Sequence, residues 1–247
     1  MTIVYKKPET LNDTPFTFCP GCTHGIIIKL VTSVIDELGI GGDTISVGCV
    51  GCGGYLPWFM NMDTIYSLHG RAPANATGIK RINPDKMVFT YQGDGDLASI
   101  GTAEIVHAAH RGEKITTIFV NNTTYGMTGG QMAPTSLVGQ KTTTSPYGRE
   151  EEHCGKPIKM CELLSTIDGA KYIERVSVDS PNNTRKARKA IKRALECQMK
   201  GLGFSLVEVL STCPTNWGKT PEEALERIRT EMIPYYPLGN FKDYGEE

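Results

Sequence analysis

Two sets of residues in this chain are spaced to do chemistry. One could hold a hard cation, the other a thiolate-bound metal. Asp94 lies in Gly93-Asp94-Gly95-Asp96, just after an apolar, β-favouring run at 87–91. The Gly-Asp-Gly turn lets the backbone approach a ligand closely and opens a helix, whose N-terminus favours anions. A helix-like segment runs on to Arg111, a second β-favouring run spans 115–120, and Asn121-Asn122-Thr123-Thr124-Tyr125-Gly126 follows. The strands of a right-handed βαβ unit end on one edge of the sheet, so Asn122 is expected beside Asp94. A carboxylate, an amide oxygen and a turn carbonyl there suit Mg²⁺ that also holds a diphosphate.

The second set is thiols. Cys19 and Cys22 form a Cys-x-x-Cys in a loop before a helix, and Cys49 and Cys52 form another in a Gly-rich turn. Alone, such a pair could be half a zinc site, a redox pair or iron–sulfur ligands. Cys213 follows the predicted strand 204–210, at the same kind of sheet edge as the turns at 48–52 and 92–96. Parallel strand ends converge at the ligand crevice. Cys19, Cys22, one cysteine of the second pair and Cys213 could therefore gather into a four-thiolate site for a [4Fe–4S] cluster or zinc.

The elements that must position these groups read as an α/β chain with a mostly parallel sheet and helices on both faces. Residues 1–18 read as an extended arm. Ile27, Leu30, Val31, Val34, Ile35 and Leu38 recur at helical spacing, closed by Gly39. A strand at 44–47 and a short helix at 74–80 precede the central unit. The Thr/Ser/Pro/Gly-rich stretch from Gln131 to about Pro157 is long for a compact domain, and suits a lid or subunit contact better than a linker. Then come a helix at 158–167, a strand at 171–176, and a helix capped within 179–184. Its cations Arg185, Lys186, Arg188, Lys189, Lys192 and Arg193 read as a solvated face, or as a surface for an acidic partner such as a ferredoxin. The strand 204–210 contains Glu208. A helix at 221–232 and a packed extended tail at 234–239 close the chain. The whole of 1–247 reads as one domain with an N-terminal cysteine segment.

The spacing of Gly-Asp-Gly and Asn-Asn resembles the thiamine diphosphate (thiamine pyrophosphate) motif. That resemblance implies Mg²⁺ ligation by Asp94, Asn122 and the Thr124 carbonyl. Several stretches then appear in the order of one family: Cys-Pro-Gly-Cys-x-His-Gly, Gly-Cys-Gly-Gly, Leu-His-Gly-Arg, Ala-Thr-Gly-Ile-Lys, Gly-Asp-Gly-Asp, Asn-Asn-x-x-Tyr-Gly-Met-Thr-Gly-Gly-Gln and Cys-Pro-Thr-Asn-Trp. From Phe18 to about Asp243 the chain resembles the β subunit of a 2-oxoacid:ferredoxin oxidoreductase. Thr23 stands where that family usually has glycine. The resemblance implies cluster ligation by Cys19, Cys22, Cys52 and Cys213, leaving Cys49 as an extra, buried thiol. It places His69 and Arg71 near the reacting centre, and Gly93, Gly95, Asp96, Gly126, Thr128, Gly129 and Gln131 around the cofactor. His24 is expected to organise the loop beside the cluster. Cys154, Cys161 and Cys197 are expected as small buried hydrophobes.

The implied activity is oxidative decarboxylation of a 2-oxoacid with coenzyme A, giving acyl-CoA, CO₂ and reduced ferredoxin. The expected substrate is 2-oxoglutarate first, branched-chain 2-oxoacids next and pyruvate after them. An α subunit is implied as partner, supplying the glutamate that activates the cofactor, with ferredoxin or a ferredoxin-like subunit as acceptor. A non-redox decarboxylase or carboligase subunit with structural zinc is the alternative. A third reading is a zinc-stabilised binding module, which an intact Asp94 and Asn122 argue against. A formal net charge of -1 gives no reason to expect nucleic acid or membrane binding. No apolar run reaches a membrane span, and eight cysteines in a chain read as cytoplasmic point to metal or redox chemistry rather than disulfides.

Overall fold

Strands buried on both faces carry no polar side, and the two longest such runs among the described residues span seven positions each. In the computed structural model, which describes residues 6–245, they become β3 (Met87–Gly93) and β6 (Phe204–Leu210). With β1 (Thr44–Gly48), β2 (Asp63–Tyr66), β4 (Thr116–Asn121), β5 (Ala170–Ser177) and β7 (Gly239–Lys242) they form one seven-stranded sheet, ordered β2-β1-β3-β4-β6-β5-β7. Every neighbouring pair is parallel except β5 with β7.

Alternation along these strands sorts their side chains to two sides. Phe89, Tyr91, Ile118 and Val120 pack with α1 (His24–Glu37) and α6 (Pro181–Met199). Val88, Phe119 and Leu206 pack with α2 (Ala72–Ile82), α3 (Thr102–His110) and α5 (Met160–Ser165). Two apolar layers on one sheet are what a parallel arrangement needs. The Ser180 hydroxyl accepts from the Asn183 N–H and caps α6, with Pro181 in the first turn.

Several expectations are corrected. The segment after Gly95 is not one helix: a π-helical turn, Asp96–Ile100, precedes α3, with Gly101 at the joint. The short strand β2 was not foreseen, because its exposed, polar-flanked Asp63-Thr-Ile-Tyr66 has no buried run to betray it. The tail is not simply extended: helix continues to Tyr235, and residues 239–242 pair antiparallel with β5. Between Gln131 and Pro157 lies a loop carrying the short helix α4 (Glu151–Cys154). Cys154 is exposed, not buried, since it ends that surface turn, whereas Cys161 and Cys197 are buried as expected. Of the α6 cations, Arg188 and Lys192 are bound to Glu37 and Arg193 to Asp243, while Arg185, Lys186 and Lys189 are exposed. Of the expected arm, residues 1–5 fall outside the described part.

Candidate cofactor and thiol site

Because the strands are parallel, the loops after β1, β2, β3, β4 and β6 all open at one edge of the sheet. Their residues line a cleft of about 120 Å³ bounded by His24, Val50, Cys52, His69, Gly93, Asp94, Asp96, Asn122, Thr124, Gly126 and Thr128, among others. A larger open groove of about 740 Å³ lies at the opposite strand ends, around Glu9, Asp36, Thr44 and Asp63. It holds none of the sequence-predicted groups.

Asp94 is buried, and its carboxylate accepts from the Gly95 N–H at 2.9 Å and the Thr135 hydroxyl at 2.6 Å. Burial pushes its pKa up to about 7, against the pull of those donors. Asn122, also buried, accepts from the Thr124 N–H at 3.2 Å. Thr123 between them has φ of 59°, the sole non-glycine positive φ among the described residues. A β-branched residue there is strained. Its carbonyl accepts from Ser136 at 2.6 Å and Gln140 at 2.8 Å, so the loop after Gln131 clamps the turn. A Cβ on Gly95 would stand 2.3 Å from the Tyr125 ring; only glycine permits that approach. The donor set therefore fits a Mg²⁺–diphosphate: a buried carboxylate and an amide oxygen flank a turn too tight for side chains.

Asp96 does something the motif alone does not reveal. Its carboxylate accepts from His69 Nδ1 at 2.5 Å, the Gly70 N–H at 2.9 Å, Gln92 Nε2 at 2.6 Å and the Val50 N–H at 3.3 Å. One side chain thus gathers the loops after β1, β2 and β3 and aims the partly exposed His69 at the cleft. Arg71 is not brought in. Its exposed side chain turns to Glu104 on α3, away from the residues that line the cleft. Thr128 is exposed on the rim, bonded to Gln131.

Next to the cleft, Cys19, Cys22, Cys52 and Cys213 line one cavity of about 230 Å³, with Phe18, Tyr55 and Asn216. Cys49 does not line it; it is buried against Gly53. Among the described residues no three His, Cys, Asp or Glu side chains close on a point as a single ion requires. Burial pushes the Cys22 thiol up to about 12 and Cys52 to about 11, and the neighbouring sulfurs add to both. Asn216 Nδ2 donates to Cys213 Sγ at 3.1 Å. A Cβ on Gly126 would press on Cys52 Sγ at 3.3 Å and lie in ordinary contact with Cys213 Sγ at 3.5 Å. His24 is buried, stacked on Phe18 and bonded through Nδ1 to the Tyr91 hydroxyl at 2.8 Å. Burial lowers its pKa to about 4. His24, Cys52, Asn122, Gly126 and Met127 line both spaces. Thr135 is marked by no local pattern, whereas Gln92 and Asn216 stand inside the turn 92–96 and the Cys-Pro-Thr-Asn-Trp stretch, whose spacing gave neither of them a role.

Comparison with known proteins gives the family. Residues 47–209 match the thiamine pyrophosphate enzyme, C-terminal TPP binding domain. The chain is 47% identical to a ketoisovalerate oxidoreductase subunit VorA of Methanothermobacter thermautotrophicus, over 99% of this chain but only 53% of that protein. It thus spans about half the length of such relatives. It is 36% identical to a 2-oxoglutarate synthase subunit KorB of Methanocaldococcus jannaschii, over 98% of this chain and 86% of that one. A solved 2-oxoglutarate:ferredoxin oxidoreductase from Magnetococcus marinus, with 2-oxoglutarate, coenzyme A and succinyl-CoA bound, superposes with a TM-score of 0.79 at 28% identity, covering 97% of this chain and 85% of that one. The sheet, the converging strand ends and these matches together place the chain in the 2-oxoacid oxidoreductase family, as a subunit that carries the thiamine pyrophosphate-binding domain.

Proposed function

We propose that this chain is the diphosphate-binding and electron-relay subunit of a 2-oxoacid:ferredoxin oxidoreductase. The observation that carries the reading is the shared wall: a cavity lined by four cysteines abuts the Asp94–Asn122 cleft across Cys52, Asn122 and Gly126. When bound, thiamine diphosphate supplies the nucleophilic carbon for cleaving a 2-oxoacid next to its carbonyl, and a [4Fe–4S] cluster accepts electrons singly. The chain's residues do the rest. Asp94, Asn122 and the Thr124 carbonyl hold Mg²⁺ and through it the diphosphate. Gly93, Gly95 and Gly126 keep the walls low, and Asp96 orients His69, whose imidazole is placed to donate or accept a proton at the cleft. Cys19, Cys22, Cys52 and Cys213 hold the cluster; a cavity of this size among four thiols favours a cluster over one zinc ion. No role is drawn for Arg71 in the cleft.

The balanced reaction takes a 2-oxoacid anion, coenzyme A and two oxidised ferredoxins to acyl-CoA, CO₂, one proton and two ferredoxins reduced by one electron each. A partner α subunit completes the active unit, as the β-type and subunit names of the relatives suggest. The sequence favours 2-oxoglutarate, while the higher identity to ketoisovalerate proteins supports a branched-chain 2-oxoacid, so both are assayed. The test is iron, acid-labile sulfide and zinc per chain on anaerobically purified complex, with an EPR spectrum after reduction. About four irons, four sulfides and a reducible signal are expected, and Cys213→Ala should lose iron. One zinc and no iron would sink the redox reading.

A further inference from the structure

Arg175 on β5 and Glu208 on β6 are fully buried cross-strand neighbours, joined Nε to Oε2 at 2.8 Å. Desolvating two charges is costly, and such a pair is weak evidence for stability as such. Its connections point elsewhere. Glu208 Oε1 accepts from Asn121 Nδ2 at 2.8 Å, and Asn121 Oδ1 accepts from the Thr123 N–H at 3.1 Å. That fixes the strained residue between Asn122 and Thr124. On the other side, the Arg175 guanidinium lies 5.3 Å from the Tyr236 ring centre. Tyr236 donates its hydroxyl proton to the Thr135 carbonyl at 2.8 Å, and Thr135 donates to Asp94 at 2.6 Å. The pair is itself held rigid. Glu162 takes both terminal nitrogens of Arg175 at 3.0 and 2.6 Å, and Cys161 donates to Glu208 at 3.1 Å.

We propose that Arg175 and Glu208 are positioning residues for the cation site, acting through Tyr236 and Asn121 to brace Asp94 on one wall and the Asn122–Thr124 turn on the other. The inference rests on the reading of Asp94, Asn122 and Thr124 as the Mg²⁺–diphosphate site. Groups that orient metal ligands from behind govern affinity strongly, and removing one costs roughly 10- to 100-fold.

The experiment uses the complex co-purified with its partner subunit, stripped of divalent ions and thiamine diphosphate. It measures apparent Mg²⁺ affinity at saturating thiamine diphosphate by titration calorimetry, with iron content and melting temperature alongside. Tyr236→Phe removes one hydroxyl and should weaken Mg²⁺ roughly 10-fold or more, at unchanged iron content. Asn121→Asp sets two carboxylates together and should weaken it further. Adding Glu208→Gln to that variant re-forms the hydrogen bond with donor and acceptor exchanged, and should recover most of the affinity. Parental Mg²⁺ affinity in Tyr236→Phe, or loss in Asn121→Asp that the exchange does not recover, would overturn the proposal. If Asn121→Asp does not fold, Tyr236→Phe decides alone. A parent complex that binds thiamine diphosphate without regard to Mg²⁺ would instead defeat the underlying site reading, before any variant is compared.

Discussion

At the scale of single residues, the site depends on groups held in protonation states that water would not favour. His24 is the clearest case for a pH measurement. Its folded pKa of about 4 lies below its ordinary value of about 6.5. The unfolded chain therefore takes up the extra proton, and stability falls as pH drops from about 6.5 toward 4. The loss reaches about 3 kcal/mol at the low end. His24→Phe keeps an aromatic ring beside Phe18 and should flatten the denaturation midpoint across that window; parallel curves for variant and parent would refute the assignment. Much of this scale was readable beforehand. Asp94 and Asn122 were marked by motif spacing, while the choice of Cys52 over Cys49 beside Cys19, Cys22 and Cys213 came from the family resemblance, and the fold lines one space with the first two and one with the four thiols. Asp96 looked like one more residue of the phosphate turn, yet it organises three loops, because its partners His69 and Val50 come from other strand ends. Thr135 lies far from Asp94 in sequence, and no local spacing could couple them.

At the scale of elements, the loop between β4 and α5 is preorganised rather than loose. Arg149 is buried, and its guanidinium donates to the carbonyls of Ala133, Pro134, Ser136, Cys154, Gly155 and Lys156 at 2.9–3.3 Å. One cation thus ties both ends of the segment that carries Thr135. Arg149→Met strips this shared donor from all six carbonyls, of which Ala133 and Pro134 keep the Ser136 and Ile158 N–H groups, and should destabilise by about 2–4 kcal/mol, with new protease cleavage confined to 132–157. A parental digestion pattern and midpoint would show that the guanidinium is dispensable. The composition of this stretch announced a functional loop but not its anchor, since an arginine looks the same in sequence whether solvated or buried. The core elements were legible because periodicity follows directly from burial: β6 matches its expected span to the residue. The two outermost strands were not, because edge strands are short and half-wet. Their pairing is fixed by neighbours distant in sequence, Gly48 and Val47 for β2 and Arg175 for β7.

At the scale of the molecule, the sheet has two different margins. On one side β7 runs antiparallel to its neighbour and ends the sheet beside the Arg175 network. On the other, β2 is a parallel outer strand with Ile65 and Tyr66 exposed, followed by Leu68 at 79% exposure. Among the described residues no helix is long and apolar enough to cross a membrane. The outer edge of a terminal strand, rimmed with apolar side chains, is a template for further pairing. For anyone producing this subunit by itself, the handling behaviour follows. Light scattering should report concentration-dependent self-association in the low-salt buffers that suit most proteins. Ile65→Lys should restore a monodisperse preparation, and an equally associated variant would place the sticky surface elsewhere.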